Sequence, residues 1–186
     1  MDAQLAEYVG MLRAGGVIAC ATETLFGLLA DAHDQAAVER VVALKQRGSA
    51  PIALLAPDLA SVEQLVELGP AARALAERYW PGPLTLVVRA KPGLPAPLLR
   101  DGTVGVRVPG ASPALALVRA FGGPLTATSC NPSGQPAARS SQEARAYFGD
   151  RLSAIVEGQA PGGLASTLVD ATGRELQVLR QGPVTL

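Results

Sequence analysis

The sequence predicts an α/β fold: an open, twisted, mixed β-sheet flanked by helices, in one domain over residues 1–186. Three observations predict it. Short continuous apolar runs at 17–20, 52–56, 84–88 and 104–108 suit strands buried on both faces. Stretches with helical spacing and recognisable ends lie between several of these runs. The last runs, at 155–156, 167–169 and 177–179, follow one another without a helix, which favours a mixed over a purely parallel sheet. A length of 186 residues makes one domain the default.

In chain order, Leu5, Tyr8, Val9 and Leu12 share one face of a helix over 2–14, which Gly15-Gly16 stops. The buried strand 17–20 leads into the polar loop Ala21-Thr22-Glu23-Thr24. Asp34 is a side-chain cap for a helix over about 35–47. After the strand at 52–56, helices near 59–68 and 70–79 are divided by Gly69-Pro70. Trp80-Pro81-Gly82-Pro83 is a rigid turn before the strand 84–88, and 90–102 is a Pro-rich connection without regular structure. The strand 104–108 ends at Pro109-Gly110. Ser112-Pro113 opens a helix that runs to Phe121 and stops at Gly122-Gly123. A strand over 125–128 follows, and Ser140-x-x-Glu143 is a capping box opening a helix to Phe148.

Composition narrows the function. Hydrophobic residues make up 48% of the chain and charged residues 17%, enough for a substantial core. Sixteen Lys and Arg balance sixteen Asp and Glu, which argues against a dedicated nucleic-acid coat protein. One His and two Cys offer no zinc-ligand spacing. Free thiols suit a reducing compartment. The first residues carry no basic stretch followed by an apolar core, and no apolar run is long enough for a bilayer. A cytoplasmic protein without membrane association is the expectation.

Two polar clusters carry the chemistry. Lys45-x-Arg47 ends a helical stretch, and Ser129-x-Asn131 ends a strand and precedes the turn Pro132-Ser133-Gly134. Fixed cations suit an anionic substrate, and hydroxyl and amide groups at a strand end suit its orientation. Each cluster also has a plainer reading: cations favoured by a helix C-terminus, and an Asn-Pro, Ser-Gly turn. Thr22-Glu23-Thr24 follows a buried strand, at a position where α/β sheets bind ligands. Arg107 interrupts an apolar strand, and either serves a site or faces solvent on an edge. Segments 166–170 and 178–182 read alone as an ordinary terminal hairpin. No Gly-x-x-x-x-Gly-Lys-Ser/Thr loop and no Gly-x-Gly-x-x-Gly after a strand is present, so a nucleotide site must be built otherwise. Cys130 lacks a base that the sequence places beside it, and reads as a small apolar residue packed behind the site. His33, between Ala32 and Asp34, reads as a loop residue.

Taken in order, Ala21-Thr22-Glu23-Thr24-Leu25-Phe26-Gly27-Leu28, Leu44-Lys45-Gln46-Arg47, Trp80-Pro81-Gly82-Pro83-Leu84-Thr85, Val104-Gly105-Val106-Arg107-Val108-Pro109, Thr128-Ser129-Cys130-Asn131-Pro132-Ser133-Gly134, Ser166-Thr167-Leu168-Val169-Asp170 and Val178-Leu179-Arg180 resemble the YrdC/Sua5 family of threonylcarbamoyl-AMP synthases, in its short single-domain form. The resemblance implies a YrdC-like fold. It also implies a nucleotidyltransferase that makes L-threonylcarbamoyl-adenylate and pyrophosphate from L-threonine, bicarbonate and ATP. The product would serve the threonylcarbamoyladenosine modification beside the anticodon of tRNA, with other proteins performing the transfer. By the same resemblance, Lys45 and Arg47 are catalytic. Arg47, Thr103, Ser129, Asn131 and Arg180 contact ATP, and Thr24, Arg107, the Ala127 backbone and Ser166 contact threonine. Mg2+ accompanies the triphosphate, held by its oxygens and water.

The chain departs from the family pattern at four places: Ala21 stands where Pro is usual, Gly48-Ser49-Ala50-Pro51 is shorter and less polar, residues 54–56 lack a His, and Cys130 stands where Ala is usual. Two rivals remain. One is an RNA-binding module of the same fold, contacting RNA or tRNA through a basic concavity, against which the neutral charge and one Trp, three Tyr and three Phe argue. The other is a paralogue that uses another amine acceptor.

Overall fold

Helix ends are set where local side chains can satisfy the backbone. The computed structural model describes residues 2–46 and 52–186. Helix α1 (Ala3–Arg13) begins at Asp2, whose carboxylate accepts from Gln4 N, and ends before Gly15 at φ 79°. Helix α2 (Gln35–Lys45) is capped by Asp34, which accepts from the amides of Ala36 and Ala37. It ends where Gln46 turns left-handed at φ 47°. Helices α3 (Leu59–Leu65) and α4 (Pro70–Tyr79) follow, the first capped by Asp58 and the second opened by Pro70. Helix α5 (Pro113–Phe121) starts at Ser112, whose hydroxyl accepts from Leu115 N, and stops at left-handed Gly122. Helix α6 (Ser141–Phe148) has Ser140 accepting from Glu143 N, while the Glu143 carboxylate accepts from Arg139 N, one residue earlier than the standard capping box.

The strands are β1 (Ile18–Ala21), β2 (Phe26–Leu29), β3 (Ala53–Leu55), β4 (Val66–Glu67), β5 (Leu84–Ala90), β6 (Thr103–Arg107), β7 (Leu125–Ser129), β8 (Ala154–Ile155), β9 (Thr167–Asp170) and β10 (Gln177–Arg180). They form one sheet in the order β10-β9-β5-β6-β3-β7-β2-β1-β8, with β4 also paired to β5. Pairs β1/β8, β3/β6 and β5/β9 are parallel and the others antiparallel, so the sheet is mixed as expected. The sequence reading had no strand over β2. Phe26–Leu29 follows β1 so closely that the two form one hairpin around the Thr22 to Leu25 turn. The Pro-rich connection also contains a single 3-10 turn, Ala96–Leu98.

One apolar core joins the strands to the helices. Helix α5 packs on α1 and β1, α4 on β5, and α6 on β1 and β8. Large side chains such as Leu12, Phe26, Leu28, Leu54 and Leu86 are fully covered, each contributing about 1.5–3 kcal/mol by leaving water. The hydroxyl of Thr126 is buried with them. It donates to Leu28 O and accepts from Ala30 N, fastening β7 to the β2 segment. Arg107 is not on an edge: β6 lies between β5 and β3, and the residue is 7% exposed.

Candidate functional site

Side chains alternate across a strand, so one face of this sheet carries every second residue of each strand. Gly27 and Leu29, Ala53 and Leu55, Thr85 and Val87, Thr103, Gly105 and Arg107, Ala127 and Ser129, and Leu168 and Asp170 all line a single cavity of about 870 Å3. The pairings Gly27↔Ser129, Ala53↔Ala127, Leu55↔Arg107, Val87↔Gly105 and Val87↔Asp170 place them in register on that face. None of the lining residues belongs to α1–α6. The volume is that of a small-molecule site. Small residues on the central strands make the floor: Gly105 and Ala53 touch there, since a Cβ on Gly105 would sit 3.2 Å from that of Ala53.

The sequence-predicted residues fall into three groups. Thr24, Thr103, Arg107, Ala127, Ser129, Asn131, Ser166 and Arg180 all line the cavity. They come from five separate segments, and the sheet order brings them together. Lys45 does not line it. Its side chain is 2% exposed, and its ammonium donates to Ser129 O at 2.6 Å, Ser129 Oγ at 3.3 Å and Asn131 Oδ1 at 2.9 Å. Arg47, and the divergent Gly48, Ser49, Ala50 and Pro51, lie outside the described residues.

Lys45 therefore joins the end of α2 to the exit of β7, and its own carbonyl accepts from Ser133 N. Asn131 completes the turn by donating through Nδ2 to Pro132 O and Gln135 O. Both N–H groups of the Asn131 amide thus go to its own loop and its oxygen accepts from Lys45, which fixes the orientation of the amide in the wall. Cys130 packs behind it with no exposure, and burial pushes its thiol up to about 12 against the partial opposition of Lys45. It is a packing residue, with no property of an activated nucleophile.

At the opposite wall, Arg180 from β10 donates through Nε and Nη2 to Ser166 O at 3.2 and 2.9 Å, and Nη2 also reaches Ser166 Oγ at 3.3 Å. The Ser166 hydroxyl is 2.8 Å from Thr85 Oγ1. Between the walls sits Arg107. Burial pulls its guanidinium below the ordinary arginine range; Glu23 opposes that shift and Arg180 adds to it. Burial acts on Arg180 in the same direction. Two guanidinium groups in one partly dry cavity favour an anionic occupant, because an anion relieves both. Thr24 is held for the cavity by its neighbour: Thr22 Oγ1 lies 2.9 Å from Thr24 Oγ1, accepts from the amides of Thr24 and Leu25, and donates to Leu25 O.

Sequence reasoning missed Thr85, Asp101, Gln135 and Thr172 on the lining. Thr85 carried a usable signal, a lone hydroxyl two residues before Val87 in an apolar strand. The other three lie in connections whose course only the tertiary structure sets.

The chain is similar to known proteins along nearly its whole length. The Sua5_yciO_yrdC family model, described as telomere recombination, matches residues 10–182. The threonylcarbamoyl-AMP synthase of Vibrio cholerae serotype O1 is 40% identical over 184 residues, covering 96% of this chain and 97% of the relative. The threonylcarbamoyl-AMP synthase of Bacillus subtilis strain 168 is 36% identical over 191 residues, 99% of this chain and 55% of the relative. Among solved structures, P. abyssi Sua5 complexed with L-threonine superposes with a TM-score of 0.88 at 32% identity, over 95% of this chain and 53% of that one. E. coli YciO does so with a TM-score of 0.88 at 27% identity, over 97% and 89%. The chain thus spans about half the length of the Bacillus and P. abyssi proteins.

Proposed function

Because this chain belongs to the Sua5/YciO/YrdC family, we propose that its cavity makes L-threonylcarbamoyl-adenylate from L-threonine, bicarbonate and ATP, releasing pyrophosphate. The observation that carries the reading is that one sheet face gathers Thr24, Thr103, Arg107, Ala127, Ser129, Asn131, Ser166 and Arg180 around a single cavity. The relatives' shared name, threonylcarbamoyl-AMP synthase, gives the class of reaction.

The chemistry makes definite demands. The threonine nitrogen attacks the carbon of bicarbonate, forming a C–N bond, and water leaves to give a carbamate. A carbamate oxygen then attacks the α-phosphorus of ATP, and the bond to the bridging oxygen breaks with departure of pyrophosphate. A carboxylate, a carbamate and a triphosphate must share one space. Arg107 and Arg180 offset that charge, and a floor of Gly105, Ala53 and Ala127 leaves room for the reacting groups to align. In this reading Arg107, Ser166 and Thr24 receive the amino acid, with the Ala127 backbone beside them. Thr103, Ser129, Asn131 and Arg180 receive the nucleotide. Lys45 acts by holding Ser129 and Asn131, and Arg47 is retained as the second catalytic cation. Mg2+ enters on the triphosphate oxygens. The adenylate passes to separate proteins that transfer its threonylcarbamoyl group to tRNA, with AMP as the leaving group, in the cytoplasm.

The test is pyrophosphate release from ATP by the purified protein, with threonine or bicarbonate left out in turn. The reading requires both. Release that continues without either one would reject it, and release with another amine in place of threonine would point to a different acceptor.

A further inference from the structure

We propose that Glu23 is the positioning residue for Arg107, neutralising its guanidinium from behind the cavity wall so that the donors stay free for a ligand carboxylate. This inference rests on the functional reading above.

Glu23 does not line the cavity, whereas its neighbours Thr22 and Thr24 do. Its side chain is clamped from two sides. The hydrogen bonds of Thr22 fold the chain tightly around residue 23. Behind, the loop leaving β6 closes at Gly110, where a Cβ would lie 3.1 Å from Glu23 Cγ and 3.4 Å from its Cβ and Cδ. Only a residue without a side chain lets that loop pass without displacing Glu23.

The carboxylate held in this way is peculiar. Both of its oxygens are covered, and neither accepts a hydrogen bond among the described residues. Its ionic partner is Arg107, with Nη1 3.5 Å from Glu23 Oε1 and side chains 8% and 15% exposed. A carboxylate withdrawn from water without donors is costly, and folds retain one where it answers a specific charge. Arg107 is that charge. It too donates no side-chain hydrogen bond to the described residues, and Arg180 adds positive charge nearby. A carboxylate closer in, accepting two hydrogen bonds, would take one edge of the five-donor guanidinium and leave that edge closed to a ligand. At 3.5 Å, Glu23 supplies the counter-charge while the planar donor fork stays unspent and oriented. An incoming carboxylate then meets a preformed partner.

The variants are Glu23→Gln, which removes the charge and keeps the shape, and Glu23→Asp, which keeps the charge and draws it back. The readouts are the separate KM values for threonine and ATP in pyrophosphate release, with melting temperature as the control for folding. Glu23→Gln should raise the threonine KM by about tenfold or more while the ATP KM stays within about twofold. Glu23→Asp should recover part of the loss. A threonine KM that is unchanged or lower in Glu23→Gln, or KM values for both substrates rising together with a lost melting temperature, overturns the proposal. If Glu23→Gln does not fold, Glu23→Asp decides: a raised threonine KM alone supports positioning, and wild-type values for both substrates reject it. A wild-type protein whose pyrophosphate release ignores threonine overturns the functional reading and this inference with it. A threonine-dependent wild type with an unaffected Glu23→Gln overturns this inference alone.

Discussion

Lys45 Nζ lies 2.9 Å from Asn131 Oδ1 across 86 residues of sequence. The contact ties the end of a helix to the exit of a central strand. It also explains how a lysine can be 2% exposed: carbonyl, hydroxyl and amide oxygens surround the ammonium in place of water. Replacing Lys45 by Met keeps the bulk and removes the charge. Asn131 Oδ1 then loses its donor inside the protein, while Ser129 O keeps the bond from Asn131 N, at a cost of about 1–3 kcal/mol. The expected outcome is a lower melting temperature together with loss of pyrophosphate release. Full activity in Lys45→Met would show that the strut does not shape the site.

Arg180 differs in kind. It lies on the edge strand β10, its guanidinium is half-buried although much of the residue is exposed, and its hydrogen bonds go to a single residue, Ser166. Its removal takes the donors from Ser166 O, but that residue lines the cavity, where water can replace them, and Arg180→Ala should change the melting temperature slightly. If it receives phosphate, the ATP KM should rise by about tenfold or more with a smaller change for threonine. Nucleotide titration by calorimetry checks this directly, and an unaltered affinity would remove Arg180 from the nucleotide set.

The sequence made the fold legible wherever local chemistry decides the outcome. Asp34, Ser112-Pro113, Ser140 and Gly122 mark helix ends that the structure places at those residues. It was silent on β2, because Phe26–Leu29 lacks a turn signal of its own and becomes a strand by pairing with β1 and β7. The site followed the same division. Polar residues at strand ends, such as Thr24 and Ser129, stand out in any one sequence. Arg107 could not be resolved that way, since an arginine in an apolar strand reads equally as an edge residue. Its placement depends on β6 lying between β5 and β3, a long-range fact. The sequence marks Lys45 as a cation suited to an anionic substrate but does not reveal its hydrogen bonds to Ser129 and Asn131 beside the cavity.

Gly105 tests the shape of the cavity floor. A Cβ there would sit 3.2 Å from Ala53 Cβ and 3.3 Å from Thr85 Cγ2, so even Ala is tight. Gly105→Val adds an isopropyl group on the cavity side of a central strand, opposite Val87. Overpacking should cost about 1–3 kcal/mol, and the added volume takes space from both substrates. The expected result is a folded protein with both KM values raised, unlike the single-substrate effect of Arg180→Ala. A variant that binds both substrates normally would mean that they do not occupy the floor.

The two cysteines give a test that needs no substrate. Both are buried, and burial pushes each thiol up to about 12 from 9.0, with Lys45 opposing it at Cys130. A thiol that keeps its proton in the folded protein to about 12, but releases it when unfolded at 9.0, favours unfolding once the pH passes the lower value. The contribution is therefore intact below pH 9.0 and lost progressively towards about 12. Melting temperature measured across that range should fall, and Cys20→Ala with Cys130→Ala should flatten the fall. At pH 8 a thiol reagent such as dithionitrobenzoate should label neither cysteine in the native protein and both in guanidinium chloride. Rapid labelling of Cys130 without denaturant would mean that the loop carrying Asn131 opens, and that Lys45 does not hold it closed.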